Sequence, residues 1–172
     1  MQIRTMLPTD LPSVLAIQSD CYGSELLEPE LAFASKVQAS PGTCWVAAQG
    51  ELIMAYLVSL PVDEDSLPAL HAPQWQHPTS APWLYLHDLA VCPQARSLGL
   101  GQRLLQHAHD CAIELACTQL VLIAVQDALP YWRRHAFAPV PPNTPVLAKK
   151  LTGFGSQAHF MQKALRQIKS GD

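Results

Sequence analysis

The chain reads as a single α/β (or α+β) domain built on a mixed sheet, and three observations predict it. Residues 120–125, LVLIAV, are apolar without a break, the pattern of a strand covered by helices on both faces. Residues 101–117 place Leu104, Leu105, Ala108, Ala112 and Leu115 on one helical stripe, with Arg103, Gln106 and Asp110 elsewhere. A length of 172 residues at 49% hydrophobic suffices for one substantial core, so 1–172 is taken as one domain.

The elements follow in order. Residues 3–6 form a short strand closed by LPTD, and Thr9 or Asp10 caps a helix to about residue 18, with Pro12 in its permissive first turn. A second helix over 29–38 turns Leu31, Phe33, Ala34 and Val37 to one face. Strands 44–48 and 52–60 join at Gln49-Gly50 as a hairpin. Residues 61–83 hold five of the fifteen prolines and read as a long insertion rather than a linker. A strand over 84–91, the helix over 101–117, the strand 120–125 and a short helix near 128–135 come next. A proline-rich link at 139–145 leads to a last strand near 158–163.

The net charge of −3 removes non-specific nucleic-acid binding, which needs a basic footprint. The halves differ, however: residues 1–90 carry −8 and residues 91–172 carry +5. Five cysteines, odd in number and without C-x-x-C spacing, read as buried free thiols of a reducing compartment. The N-terminus lacks a signal peptide's apolar core and no apolar run approaches the ~20 residues of a membrane span, so a cytoplasmic protein is expected. His107 and His109, two apart on a helix, cannot share a face, and no metal site is expected.

The stretch 86–105, LHDLAVCPQARSLGLGQRLL, runs from strand through RSLGLG directly into a helix. A helix N-terminus offers unpaired N–H groups and a positive dipole, and glycines let an anion reach the backbone, so this is a candidate phosphate site. It is neither a P-loop, lacking Lys-Ser or Lys-Thr, nor G-x-G-x-x-G, since the third glycine position is Leu104.

The stretch resembles the GNAT family of acyl-CoA-dependent N-acetyltransferases, whose pyrophosphate loop reads Arg/Gln-x-x-Gly-x-Gly/Ala between strand and helix. Arg96, Gly99 and Gly101 match, LHDLAV and Pro93 fit the lead-in, and ALPYWRRHAF looks like the family's A-x-x-Phe-Tyr-x-x-x-Gly-Phe. The resemblance implies a mixed, mostly antiparallel sheet of about seven strands flanked by helices, in the order β-α-α-β-β-β-α-β-α-β-β. It implies acetyl-CoA as donor, coenzyme A as product, and direct transfer to a primary amine in a ternary complex. Backbone groups of Leu89 and Val91, with Ala90 between them, would pair with the pantetheine arm. Those of Arg96, Ser97, Leu98, Gly99, Leu100 and Gly101 would hold the pyrophosphate, and Gln126 and Trp132 would also meet the cofactor. Strand 120–125 would diverge from 84–91 and leave a wedge for the thioester.

Three positions depart from the family pattern. Leu98 stands where Gly or a basic residue is common. Trp132 occupies the place of the tyrosine that protonates the leaving thiolate, and an indole cannot serve as an acid; Tyr131, one residue earlier, is the candidate substitute. Ala136 replaces a glycine, which costs roughly 1 kcal/mol if the backbone there is left-handed.

Aminolysis of a thioester needs a neutral amine and hence a base. His87 lies where several members of the family carry a glutamate, and an imidazole, ordinarily near pKa 6.5, suits the task. It reads equally as a hydrogen-bonded core histidine. Strand alternation would put Tyr85, His87, Leu89 and Val91 on one face and Leu86, Asp88 and Ala90 on the other, making Asp88 structural. Arg133, Arg134 and Lys149-Lys150 are either solvated or aids to the CoA phosphates. The leading function is an N-acetyltransferase; the alternatives are a non-catalytic acyl-CoA-binding or regulatory module and an enzyme for longer acyl chains. The acceptor is expected to be a small-molecule or peptide amine, and a cationic one, because Glu25, Glu28, Glu30, Asp63, Glu64 and Asp65 would rim its side against Lys36 alone. Neither nucleic acid nor membrane is expected as a partner, and the chain would act as a monomer or homodimer.

Overall fold

A computed structural model describes residues 1–165. Strands β1 (Gln2–Thr5), β2 (Cys44–Gln49), β3 (Leu52–Val62), β4 (Trp83–Val91), β5 (Gln119–Ala124), β6 (Ala138–Pro139) and β7 (His159–Ala164) form one sheet in the order β1-β2-β3-β4-β5-β7-β6. Among the described strands only β4–β5 is parallel, and the other pairings are antiparallel. The helices are α1 (Leu11–Cys21), α2 (Glu30–Ala39), α3 (Leu100–Glu114), α4 (Leu129–Arg134) and α5 (Pro145–Thr152). None of the described helices is long and apolar enough to cross a membrane.

Two faces of the sheet are buried, as LVLIAV requires. Leu120, Leu122 and Ala124 of β5 join Leu104, Leu105, Ala108 and Ala112 of α3 in one cluster. Val121, between them, joins Tyr85, Leu67, Trp75 and Leu147 on the opposite side. There α1 and α2 bury Val14, Ile17, Phe33 and Val37 against Val46, Tyr56 and Val58.

Several boundaries differ from the sequence reading for local reasons. Helix α3 stops at Glu114 because Ala116 takes a left-handed φ of 55° and Cys117 N–H returns to Ala112 O at 2.9 Å, a Schellman-type end. Leu115 thus lies past the helix and is exposed. Asp10 precedes α1 without capping it, since its carboxylate is held by both Arg4 guanidinium nitrogens at 2.7 and 2.8 Å and by Leu7 N–H. On α2 the buried face is Ala32, Phe33, Lys36 and Val37, while Leu31 is 79% exposed. The hairpin loop is Gly50-Glu51, with Gln49 still paired to Leu52. The proline-rich link contains α5, capped by the Thr144 hydroxyl, which accepts from Leu147 N–H at 3.2 Å. The insertion is ordered: β3 and β4 take its ends, Leu67 and Trp75 are buried, and Trp75 Nε1 donates to Ser66 O at 2.9 Å.

Candidate active site

The site begins where two strands part. Strand β4 pairs with β5 only from Trp83 to Leu86; beyond that β5 continues beside β7, and β4 has no neighbour on that side. At the same point β4 bulges: Val58 pairs with Asp88 and Ser59 with Leu86, leaving His87 without an opposite residue. The extra residue reverses the alternation. Leu84, Leu86, Leu89 and Val91 therefore pack toward α3, whereas Tyr85 and Ala90 lie on the opposite side, where Asp88 accepts from Tyr56. The expected faces are corrected accordingly, because strict period-two alternation fails across a bulge. His87 belongs with Tyr85, its ring 5.5 Å away, and not with Leu89 and Val91.

A cleft of about 580 Å³ occupies the wedge. His87, Asp88, Leu89, Ala90, Val91, Arg96, Gly99, Gly101, Gln126, Tyr131 and Trp132 all line it. Ser97 and Leu98 are exposed and do not, and the Leu100 side chain is in the core, so these three have only backbone to offer an anion there. Gly99 sits at φ 66°, immediately before α3, in the left-handed region glycine favours. A side chain on Gly101 would meet the Tyr131 hydroxyl at 2.8 Å. Tyr131 therefore points at the anion loop, four residues along β4 from the bulge. Tyr131 and His87 both line the same cleft. After β5 the chain turns through Gln126 and Asp127, both left-handed at φ 49° and 59°, and so brings α4 against the cleft. Ala136, at φ 66°, does occupy a left-handed position.

Cys92 N–H donates to Met54 O at 2.8 Å, so ladder alternation aims the backbone groups of Leu89 and Val91 away from β3, into the wedge. Ala90 faces β3 with its backbone. The Leu89 carbonyl accepts from the Tyr22 hydroxyl at 2.9 Å and the Val91 carbonyl from the Cys21 thiol at 3.4 Å. The end of α1 thus lies across the edge that the pantetheine arm is expected to use.

The centre of the cleft holds a buried relay that the sequence did not reveal. Glu28, from the link between α1 and α2, bonds His87 Nε2 through one oxygen and Lys36 Nζ, at 2.8 Å, through the other. Lys36 is wholly buried and also donates to Ala32 O at 3.2 Å. Burial alone would raise the Glu28 pKa, but the charges and hydrogen bonds of His87 and Lys36 overcome it and hold the carboxyl at about 2. An ionised carboxylate only accepts, so the Nε2 that faces Glu28 carries a proton, and in that tautomer of the neutral ring the lone pair lies on Nδ1. Among the described residues, His87 Nδ1 and Asp88 Oδ1 are the buried side-chain atoms with no partner. Asp88 takes a 2.8 Å bond from the Tyr56 hydroxyl on its other oxygen, and burial pushes its pKa up to about 6 against the opposing effects of His87, Tyr22 and Tyr56.

The expected acidic rim is not the lining of the cleft. Of its six carboxylates only Glu28 lines the cleft, buried and matched to Lys36. Asp63 is tied to Ser66, Glu64 accepts from the Thr144 hydroxyl, and Lys150 donates to the Glu64 and Asp65 carbonyls at 3.3 and 2.5 Å. Lys150 is therefore committed to the insertion and not to CoA phosphates. A carboxylate cluster in sequence says nothing about direction; the fold turned this one away.

Comparison with known proteins gives the same assignment. The model of the acetyltransferase (GNAT) family matches residues 11–137. Among solved structures, the GNAT-like decarboxylase GphF with isobutyryl-CoA superimposes at a TM-score of 0.72 and 20% identity, over 96% of this chain and 100% of that one. The ribosomal-protein-S18-alanine N-acetyltransferase of Escherichia coli does so at 0.68 and 17%, over 99% and 97%. Rv2747 of Mycobacterium tuberculosis, with CoA and NLQ, gives 0.68 and 15%, over 96% and 100%. No curated protein sequence matches significantly. These likenesses share the fold, and the family match runs from α1 through the bulge, the anion loop and α4, so the chain belongs to the GNAT acetyltransferase family.

Proposed function

We propose that the protein transfers an acetyl group from acetyl-CoA to a primary amine, directly and without a covalent enzyme intermediate. The observation that carries the reading is the unpartnered Nδ1 of His87, fixed by Glu28 and Lys36 at the point where β4 and β5 separate. CoA is held in several structural neighbours, Rv2747 among them. The cradle here fits it: a left-handed Gly99 with open space around it, the N-terminus of α3, and a strand edge beside the wedge between β4 and β5.

In this reading backbone N–H groups at the start of α3 bind the pyrophosphate, and the edge of β4 beyond Leu86, whose Leu89 and Val91 carbonyls Tyr22 and Cys21 now hold, aligns the pantetheine arm. The acceptor arrives as an ammonium ion, cationic at its reacting end, because alkylamines titrate near 10.4. His87 Nδ1 takes the ammonium proton, directly or through one water, and Glu28 stabilises the imidazolium that results. The neutral amine attacks the thioester carbon, the C–S bond breaks, and the nitrogen's second proton passes to the departing thiolate. Trp132 cannot deliver that proton; Tyr131, which also lines the cleft, or a water is the alternative carrier.

The competing reading, a non-catalytic acyl-CoA module, draws on Trp132. Thiol release in an acetyl-CoA assay over a panel of amines separates the two. His87→Ala is expected to lose about 10²–10⁴-fold in turnover while acetyl-CoA still raises its melting temperature. Unchanged turnover would leave His87 as structure.

A further inference from the structure

We infer that the acceptor is a primary amine with an apolar group close to its nitrogen, not a di- or polyamine. This rests on the acetyltransferase reading and deepens it. The anion loop lies beyond the C-terminal end of β4, so the acceptor must approach His87 from the other end of the cleft. Away from the loop and the diverging strands, the apolar lining of the cleft is Leu26, Leu70 and Phe154. Three separate connections supply Leu26, Leu70 and Phe154: the α1–α2 link, the segment between β3 and β4, and the turn after α5. All three side chains are half-buried, part of their surface still open.

The wall is built in advance. The ring of His71, next to Leu70, bonds the Glu25 carbonyl at 3.1 Å, and Ala72 O accepts from Lys36 Nζ at 3.4 Å. Leu70 is thereby pinned to the same α1–α2 link that carries Leu26 and Glu28. The two carboxylates that line the cleft both sit at the bulge: Glu28 is matched to Lys36 and shared with His87, and Asp88 is adjacent. Among the described residues, no carboxylate beyond Glu28 and Asp88 lines the cleft, and a second ammonium of a diamine would lie away from both. That ammonium would lose water against leucine and phenylalanine without gaining a partner. An alkyl or aryl substituent would instead cover them, at roughly a fourfold gain per added methylene.

The test uses the intact protein with acetyl-CoA and thiol release, comparing propylamine, hexylamine, phenethylamine and putrescine at low and high salt. A Leu-initiated and a Gly-initiated tetrapeptide show whether the amine is free or a peptide terminus. We expect kcat/KM to rise about fourfold per methylene until the wall is covered, hexylamine and phenethylamine to exceed putrescine, and the Leu-first peptide to exceed the Gly-first one. Leu70→Asp or Phe154→Asp should lower kcat/KM for phenethylamine at least tenfold while the acetyl-CoA melting shift persists. A putrescine preference that falls with salt overturns the inference and restores the acidic rim. So does a gain on lengthening the acyl donor from acetyl to butyryl in place of the amine, which would make the wall an acyl pocket. Those results leave the acetyltransferase reading standing. Absence of thiol release with every amine overturns both.

Discussion

At the scale of single residues, the cleft depends on groups that no local pattern connects. His87 was legible as a candidate because it lies on the strand before the anion loop. Glu28 was not, since its partner is 59 residues away and a carboxylate in a link reads as a solvated charge. Lys36 sits at a helical position an apolar stripe would not assign, and only Glu28 explains its complete burial. Asp88 offers a test of this buried chemistry. Its carboxyl is neutral in both folded and unfolded chains below about pH 4. As pH rises, the unfolded chain ionises first and the folded one only near 6, so stability is lost across that interval. Asp88→Asn keeps an acceptor for Tyr56 and removes the charge. It should stabilise the protein at pH 7.5 by on the order of 2 kcal/mol, with the advantage vanishing toward pH 4. Thermal melts of both forms across that range would show a pH-independent gap if burial did not hold Asp88 up.

At the scale of elements, the anion loop and α3 were read from the sequence because their determinants are contiguous: a strand, two glycines and a long amphipathic stripe. The geometry adds that Gly101 is where the Tyr131 hydroxyl comes to rest. Gly101→Asp puts a side chain and a negative charge at the helix N-terminus, and we expect it to abolish the acetyl-CoA-induced rise in melting temperature. That rise should reach about 2.7 kcal/mol of stabilisation at a hundredfold excess over Kd in the native protein. A retained shift would place the phosphates elsewhere. Helix α5 is the element passed over. Its signal was present in Thr144-Pro145, a capping hydroxyl followed by proline at the first helical position, but the surrounding prolines at 139–145 read as a link. The bulge at His87 left no such mark. Its sequence is apolar-polar in an ordinary way, and the extra residue exists only in register with β3.

At the scale of the whole molecule, the opposite charges of the two halves do not say which carboxylates meet the cleft, since sequence proximity fixes neither burial nor direction. The segment between β3 and β4 shows how distant parts shape one site. Trp75 is 7% exposed, its backbone N–H donates to Ser35 Oγ at 3.0 Å, and the same segment positions Leu70. Trp75→Ala should cost about 3–5 kcal/mol of stability. It should also raise KM for apolar amines more than it lowers the affinity for acetyl-CoA. Equal losses on both ligands would mean that the segment only stabilises the fold. The sequence by itself determined the α/β class, most of the helices and strands, and the anion loop, because each depends on periodicity or on neighbours a few residues apart. Only the tertiary structure decided the bulge, the Glu28–Lys36–His87 cluster, the approach of the Tyr131 hydroxyl to Gly101 and the gathering of Leu26, Leu70 and Phe154 in one cleft. Each of these joins residues far apart in the chain, through strand register and burial that exist only once the sheet is assembled.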